Sequence, residues 1–176
     1  MKRVKIITPL LSMLLVAMAV SVVLAQVSPG TYPGGVNSAN APGSSPLASG
    51  AIQCVVDAQL NVNCSPYVLG GVGNTNATVS LTTSYSATID CTNHGGNVVE
   101  SHEATFSDSS TATVASTRNG QLRVPSQSAS PFSAPQVCPN PNWTPSIQDG
   151  TLVLESFTYT LTFAGFSAPA VSISEP

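Results

Sequence analysis

A run of two-residue alternation, Ala77 to Cys91, constrains the fold of this chain more than any other feature. Apolar residues occupy its odd positions and hydroxyl residues or Asp90 its even positions, with Thr83 as the one interruption. Side chains of a strand point alternately to two faces, so this pattern predicts a strand with one buried and one hydroxylated face. A strand of this length would extend about 50 Å, which predicts a bend or two successive pairings along it.

A second alternation lies near the end of the chain. Apolar residues from Phe157 to Phe163 alternate with threonines, whereas Leu152 and Leu154 are in the opposite phase. A bulge near Glu155 would reconcile the two phases, because a bulge adds one residue to a strand. This segment is therefore predicted to be a strand with a local irregularity at its start.

Weaker alternation and turn signals predict the rest of an all-β fold. Asn119-Gly120 is typical of a type I′ hairpin turn. About six to eight short strands separated by turn residues, without a helical period, favour an antiparallel β-sandwich of immunoglobulin-like type, with a small β-barrel as runner-up. The weaker strands are expected at 52–56, 60–64, 98–106 and 121–124.

The first fifty residues predict two segments before the domain. Three cations in the first five residues precede an apolar run ending at Ala25, which predicts a cleaved signal peptide over 1–25. An uncleaved membrane anchor is the alternative. Residues 26–50 are rich in Pro, Gly, Ser and Asn and lack apolar periodicity, so a disordered tether is expected there. The β-sandwich domain is then expected over 51–176.

The charge balance excludes two classes of partner. Without residues 1–25, two arginines remain against eight carboxylates, giving six net negative charges and no lysine. Nucleic acid and anionic membranes repel such a chain, because binding to them draws on clustered Lys and Arg. Ser and Thr replace charge on the surface, which suits an extracellular β-protein. The sequence predicts a secreted protein without membrane contact beyond the signal segment.

The four cysteines predict two disulfides. Cys54, Cys64, Cys91 and Cys138 form an even set in a chain addressed to an oxidising compartment, and three pairings are possible. Cys54 with Cys64 is favoured because both would point inward on neighbouring strands of one hairpin, leaving Cys91 with Cys138. A zinc site is the alternative use. The spacings lack a C-x-x-C pair, and exported thiolates would oxidise.

Two short motifs resemble a known pattern. "CTNHGGN" at Cys91 to Asn97 and "CPNPNWT" at Cys138 to Thr144 resemble a motif pair in secreted, mostly bacterial, β-rich proteins that are themselves uncharacterised. The resemblance implies that Cys91 and Cys138 pair. It brings no activity, ligand or catalytic residue to this chain.

A bonded Cys91 and Cys138 would place the loops that follow them at one rim. Side-chain amides beside an indole ring are typical of sugar or peptide recognition. The simpler interpretation is that the Asn and Gly residues form turns and that the indole covers the disulfide. The candidate binding residues are Asn93, His94, Asn97, Asn140, Asn142 and Trp143.

His102 lies in the one dense cluster of titratable residues. On a strand His102 and Glu100 share a face while Glu103 points away, so the pair could bind a divalent ion with a third ligand. An exposed polar edge is the simpler interpretation. Metal-protease and nucleophile-elbow motifs are missing, so no catalytic residue, metal or cofactor is expected.

The sequence therefore predicts a secreted, non-enzymatic β-sandwich that acts as an extracellular binding or structural module, with a glycan or protein at the cell surface as partner. One alternative is a small metal-dependent hydrolase that uses His102 and Glu100. A second is a small-ligand carrier, because the C-x9-C spacing of Cys54 and Cys64 resembles that of small acidic enediyne-binding apoproteins.

Overall fold

The computed structural model describes residues 26–131 and 134–176, and in these ranges the chain is all-β with one 3-10 turn, Ser38–Asn40. The expected signal peptide, 1–25, lies outside the described residues. No helix in the described ranges is long and apolar enough to cross a membrane. The strands are β1 (Gly30–Pro33), β2 (Leu47–Gly50), β3 (Gln53–Val56), β4 (Val62–Cys64), β5 (Tyr67–Leu69), β6 (Ala77–Thr92), β7 (Val98–Val114), β8 (Leu122–Val124), β9 (Gln127–Ala129), β10 (Thr144–Ile147), β11 (Val153–Phe163) and β12 (Val171–Glu175).

The long alternating run forms the centre of a five-stranded antiparallel sheet. Along one side, β6 pairs with β7 over its whole length. Along the other it pairs first with β11 and then with β10, and β12 lies beyond β11. The prediction of two successive pairings is confirmed. A register shift between Leu154 and Ser156 also confirms the predicted bulge at Glu155.

Two short sheets form the other layer, and strands that follow one another in the chain, β4 with β5 and β8 with β9, are divided between them. One has the order β1-β3-β4-β9 and the other β2-β5-β8. Pro66 separates β4 from β5 and Pro125 separates β8 from β9. Proline cannot donate to a strand ladder, so each one interrupts the pairing there. The sheets are antiparallel and not closed into a barrel, which confirms the sandwich over the runner-up.

The core lies between the two layers, and its phenols are hydrogen-bonded. The buried Tyr159 hydroxyl donates to that of Tyr67 at 3.2 Å, joining β11 to β5. The Tyr85 hydroxyl donates to the Leu60 carbonyl at 3.1 Å. Burial raises the pKa of both Tyr159 and Tyr85, so these two hydroxyls stay protonated and remain donors. The polar ends of the rings are thus satisfied where the layers meet.

The prediction of a disordered tether over 26–50 was wrong, because this segment is part of the sandwich. Strand β1 pairs with β3, and β2 pairs with β5. Val27 is buried and its N–H donates to the Leu154 carbonyl at 3.0 Å. Strand β1 lies at the edge of its sheet, and an edge strand tolerates a proline such as Pro33, which a central strand would not. The prolines of this segment are therefore compatible with strand pairing.

The substitution Gly50→Ala is expected to lower the free energy of unfolding by about 1–3 kcal/mol, a typical cost of overpacking. Gly50 has a φ of +84°, and an added Cβ would lie 2.7 Å from the Pro66 carbonyl oxygen. Gly35→Ala is the matched control, since an added Cβ there meets nothing within 4 Å. Urea unfolding measures both. Equal stability of the two variants would mean that residues 26–50 are detached from the domain.

Strand β7 and the turn that follows it each differ from their prediction. Strand β7 extends to Val114, beyond the expected end at 106, because it follows β6 residue by residue. The Gly120 N–H donates to the Thr117 carbonyl, and Gly120 alone of the pair Asn119-Gly120 has positive φ. The turn is therefore a type I turn followed by a left-handed residue rather than type I′.

Candidate functional site

Both predicted disulfides are present. Cys54 is bonded to Cys64 between β3 and β4, and Cys91 of β6 is bonded to Cys138. No described cysteine is free. The second bond attaches the loop before β10 to the end of the five-stranded sheet, which is where the predicted rim lies.

The rim consists of residues 93–97 and 139–143, and the structure places both loops at one end of the sheet. Thr92 pairs with Thr144, so the first loop begins and the second ends at neighbouring positions. Val98, Val99 and Val137 beside these loops are exposed, Val98 by 57%. These valines were missed as rim residues, although "NVVE" after the glycine turn was a visible apolar signal.

The amides of the rim hold its own turns. The Asn93 side-chain oxygen accepts from the backbone N–H groups of Gly95 and Asn97, at 2.9 and 3.1 Å. That of Asn140 accepts from the Asn142 N–H at 3.0 Å. These bonds are the local capping bonds that asparagine makes in turns.

The other rim residues stand apart from one another. His94 is exposed at the tip of its turn, Asn97 is exposed, and Trp143 is half-buried. Among the described residues, no side-chain hydrogen bond joins the two loops. Binding at the rim stays a prediction, and the geometry favours the turn interpretation for His94.

The Glu100 and His102 side chains share the inward face of β7, as predicted. Glu100 Oε1 lies 3.3 Å from His102 Nε2, and neither atom makes a hydrogen bond in the described part of the chain. The nearest further ligand atom is Cys91 Sγ, which is bonded to Cys138. A catalytic zinc site needs three protein ligands, and among the described residues the oxidised protein offers two at this position.

The outward face of the five-stranded sheet is an extended surface of Ser and Thr side chains, here named the hydroxyl face. Its members are at least partly exposed and lie on four adjacent strands. They are Thr78, Ser80, Thr82, Ser84, Ser86 and Thr88 of β6, Thr105, Ser107, Ser109, Thr111 and Thr113 of β7, Ser156, Thr158, Thr160 and Thr162 of β11, and Ser172 and Ser174 of β12.

Strand register arranges these hydroxyls in rows across the sheet. One row is Ser172, Thr160, Ser80 and Thr111, and the next is Ser174, Thr158, Thr82 and Ser109. Neighbouring hydroxyls approach each other within rows, at 3.0 Å for Ser80 with Thr111 and 3.2 Å for Thr158 with Ser174. From Thr78 to Ser84, these described rows carry no charged side chain.

Two grooves lie on this face, one toward each end. The first, of about 770 Å³, contains two carboxylates, and Ser86 donates a hydrogen bond to one of them. The second, of about 630 Å³, contains the half-buried Phe166 ring. The first is lined by Gln26, Ser84, Ser86, Glu103, Thr105 and Glu155 among others, and the second by Asn76, Thr78, Thr113, Thr160, Thr162 and Phe166.

The bulge in β11 accounts for the acidic end of the hydroxyl face. It inserts Glu155 between the paired residues Leu154 and Ser156. An inserted residue re-aims its side chain, and here that brings the carboxylate to Ser86 on the outward side.

Comparisons with protein-family models, with curated proteins and with solved structures found no match for this chain.

Proposed function

We propose that this chain is a secreted, non-enzymatic, immunoglobulin-like β-sandwich that binds a neutral polysaccharide through the hydroxyl face. The register of β12, β11, β6 and β7 carries the proposal, because it aligns hydroxyls in charge-free rows across four strands. Two disulfides support a location in an oxidising compartment outside the cytosol. A glycan at the cell surface or in the surroundings is then an accessible partner.

The chemistry of the face suits a ligand made of hydroxyl groups. Each Ser or Thr hydroxyl both donates and accepts, so it can pair with a sugar hydroxyl in either direction. The central rows hold no charge that would have to lose its hydration on binding. Neighbouring strands lie about 4.8 Å apart and alternate residues of a strand about 6.7 Å apart. An extended polysaccharide can therefore contact several rows together, and its weak hydrogen bonds act jointly.

The two ends of the face provide stronger contacts. The Phe166 ring can cover the apolar C–H side of a sugar ring. At the other end, Glu103 and Glu155 can accept charge-assisted hydrogen bonds from sugar hydroxyls. The chain is acidic, so a neutral polymer is favoured over an anionic one.

Retention of the protein on insoluble neutral polysaccharides tests the proposal. We expect the wild type to be retained on at least one of cellulose, chitin, xylan and β-glucan. Thr82→Glu should weaken that retention by about tenfold, since about 1.4 kcal/mol of lost binding energy corresponds to that factor. Thr82 lies in the middle of a central row and is exposed, so the substitution adds a charge without disturbing the core.

Two controls separate the hydroxyl face from other surfaces. Ser128→Glu places the same charge at an exposed position of β9 in the opposite layer and should bind like the wild type. Trp143→Ala alters the rim and should also leave retention unchanged. Retention that is lost with Trp143→Ala and kept with Thr82→Glu would move the site to the rim. Absence of retention on every polymer would contradict the proposal.

A further inference from the structure

We propose that the Cys91–Cys138 disulfide masks a zinc site, and that its reduction allows Cys91, Glu100 and His102 to bind Zn²⁺. This inference is independent of the hydroxyl face. It assigns a role to the one group of described residues that combines thiol, carboxylate and imidazole ligands.

The three ligand atoms converge at one end of the sandwich. Cys91 pairs directly with Glu100 across β6 and β7, and His102 is two residues further along the same inward face. One ligand atom from each residue lies within 4.8 Å of the other two. Ligands of one tetrahedral zinc lie within about 4 Å of one another, so a small rotation of the side chains completes the set.

The surroundings of these atoms are compatible with a bound ion. Glu100 Oε1 and His102 Nε2 are shielded from solvent, and neither makes a hydrogen bond among the described residues. Among the described residues their polar contact is with each other, at 3.3 Å, and a cation bound by both would satisfy them. Cys91 itself is fully buried, so its thiolate would be protected from competing reactions in solvent.

The disulfide decides whether the site exists. A disulfide sulfur is not a thiolate, and the thiolate is the species that ligates metals. A dithiol reductant transfers two electrons and two protons to the Cys91–Cys138 bond, and its own two thiols become a disulfide. Zinc then displaces the proton of the Cys91 thiol to solvent. The fourth coordination position is left to water or to the released Cys138 thiolate.

Substitution of Cys138 provides a test without reductant. The variant Cys138→Ala leaves Cys91 as a free thiol while Cys54 and Cys64 stay bonded. Titration with Co²⁺, a spectroscopic substitute for Zn²⁺, should give a thiolate-to-cobalt charge-transfer band together with visible bands of tetrahedral cobalt. Zn²⁺ should then abolish both.

Matched variants identify the ligands. Adding His102→Ala or Glu100→Gln to Cys138→Ala should weaken Co²⁺ binding by at least about tenfold, a lower bound set by the effect of losing even an outer partner of a metal ligand. The double variant Cys91→Ala, Cys138→Ala should show no charge-transfer band. A Cys138→Ala protein without the band, or one whose titration is unchanged by His102→Ala, would overturn the inference.

A second form of the protein covers the case in which Cys138→Ala does not fold. The variant Cys54→Ala, Cys64→Ala retains the masked pair as its only disulfide. Treatment with a phosphine reductant should produce the cobalt band, while the oxidised protein should produce none. The absence of a band after reduction, or unfolding of both proteins, would also contradict the inference, since the site requires β6 and β7 to remain paired.

Discussion

Replacing Phe157 with alanine is expected to lower the free energy of unfolding by about 3–5 kcal/mol, the usual cost of removing a buried phenyl ring. Phe157 is 1% exposed, and its ring meets that of Tyr32 edge-on, with 5.2 Å between the centroids. The ring thus joins β11 of the large sheet to β1 of the opposite layer. Its removal leaves a cavity between the layers that the surrounding strands can fill only in part.

The neighbouring substitution Thr158→Ala is the control for this prediction. Thr158 follows Phe157 in β11 but points outward and is exposed. Its replacement should change the free energy of unfolding by no more than about 0.5 kcal/mol. Urea unfolding followed by circular dichroism measures both variants. Similar losses from the two substitutions would be incompatible with a strand that has one buried and one exposed face.

Removing the Cys91–Cys138 disulfide by double alanine substitution is expected to destabilise the protein by about 4 kcal/mol, against about 2.7 kcal/mol for Cys54–Cys64. The bonds close loops with sequence separations of 47 and 10 residues. The longer loop restricts the unfolded chain more, which raises the free energy of the unfolded state. All four cysteines are buried, so the cost of truncating their side chains largely cancels in the comparison.

The ranking of the two disulfides is read from the free energies of unfolding in urea, with the slope fitted separately for each variant. The slope should rise when a disulfide is removed, because the unfolded state then exposes more surface. A larger loss from Cys54–Cys64 than from Cys91–Cys138 would mean that native contacts of the short hairpin, rather than loop length, set the effect.

Local pattern was sufficient to predict the central strands and their chemistry. The alternation from Ala77 to Cys91 predicted β6, and the change of phase before Phe157 predicted the bulge. The type of the turn at Asn119-Gly120 and the ordered state of residues 26–50 were harder to predict. Residues 26–50 have the composition of a disordered segment, yet Tyr32 and Val27 are held by partners far along the chain. Such long-range contacts leave no trace in a window of twenty-five residues.

The hydroxyl face could be predicted only in part. Ser and Thr at even positions of β6, and threonines between Phe157 and Phe163, showed that each strand has a hydroxylated side. That these sides are neighbours depends on the pairing of β6 with β7 and β11, which sequence alone does not specify. The rim was found through its cysteines, because a covalent bond implies proximity without knowledge of register.

The surface proposed to bind a neutral polysaccharide is the hydroxyl face and not the rim. An NMR titration of isotope-labelled protein with a soluble oligosaccharide of the retained polymer tests it most directly. We expect chemical-shift changes at the threonine methyl groups of Thr78, Thr82 and Thr160 and at the Phe166 ring, with Trp143 unaffected. Changes confined to Trp143 and residues 93–97, with those threonines unchanged, would contradict it.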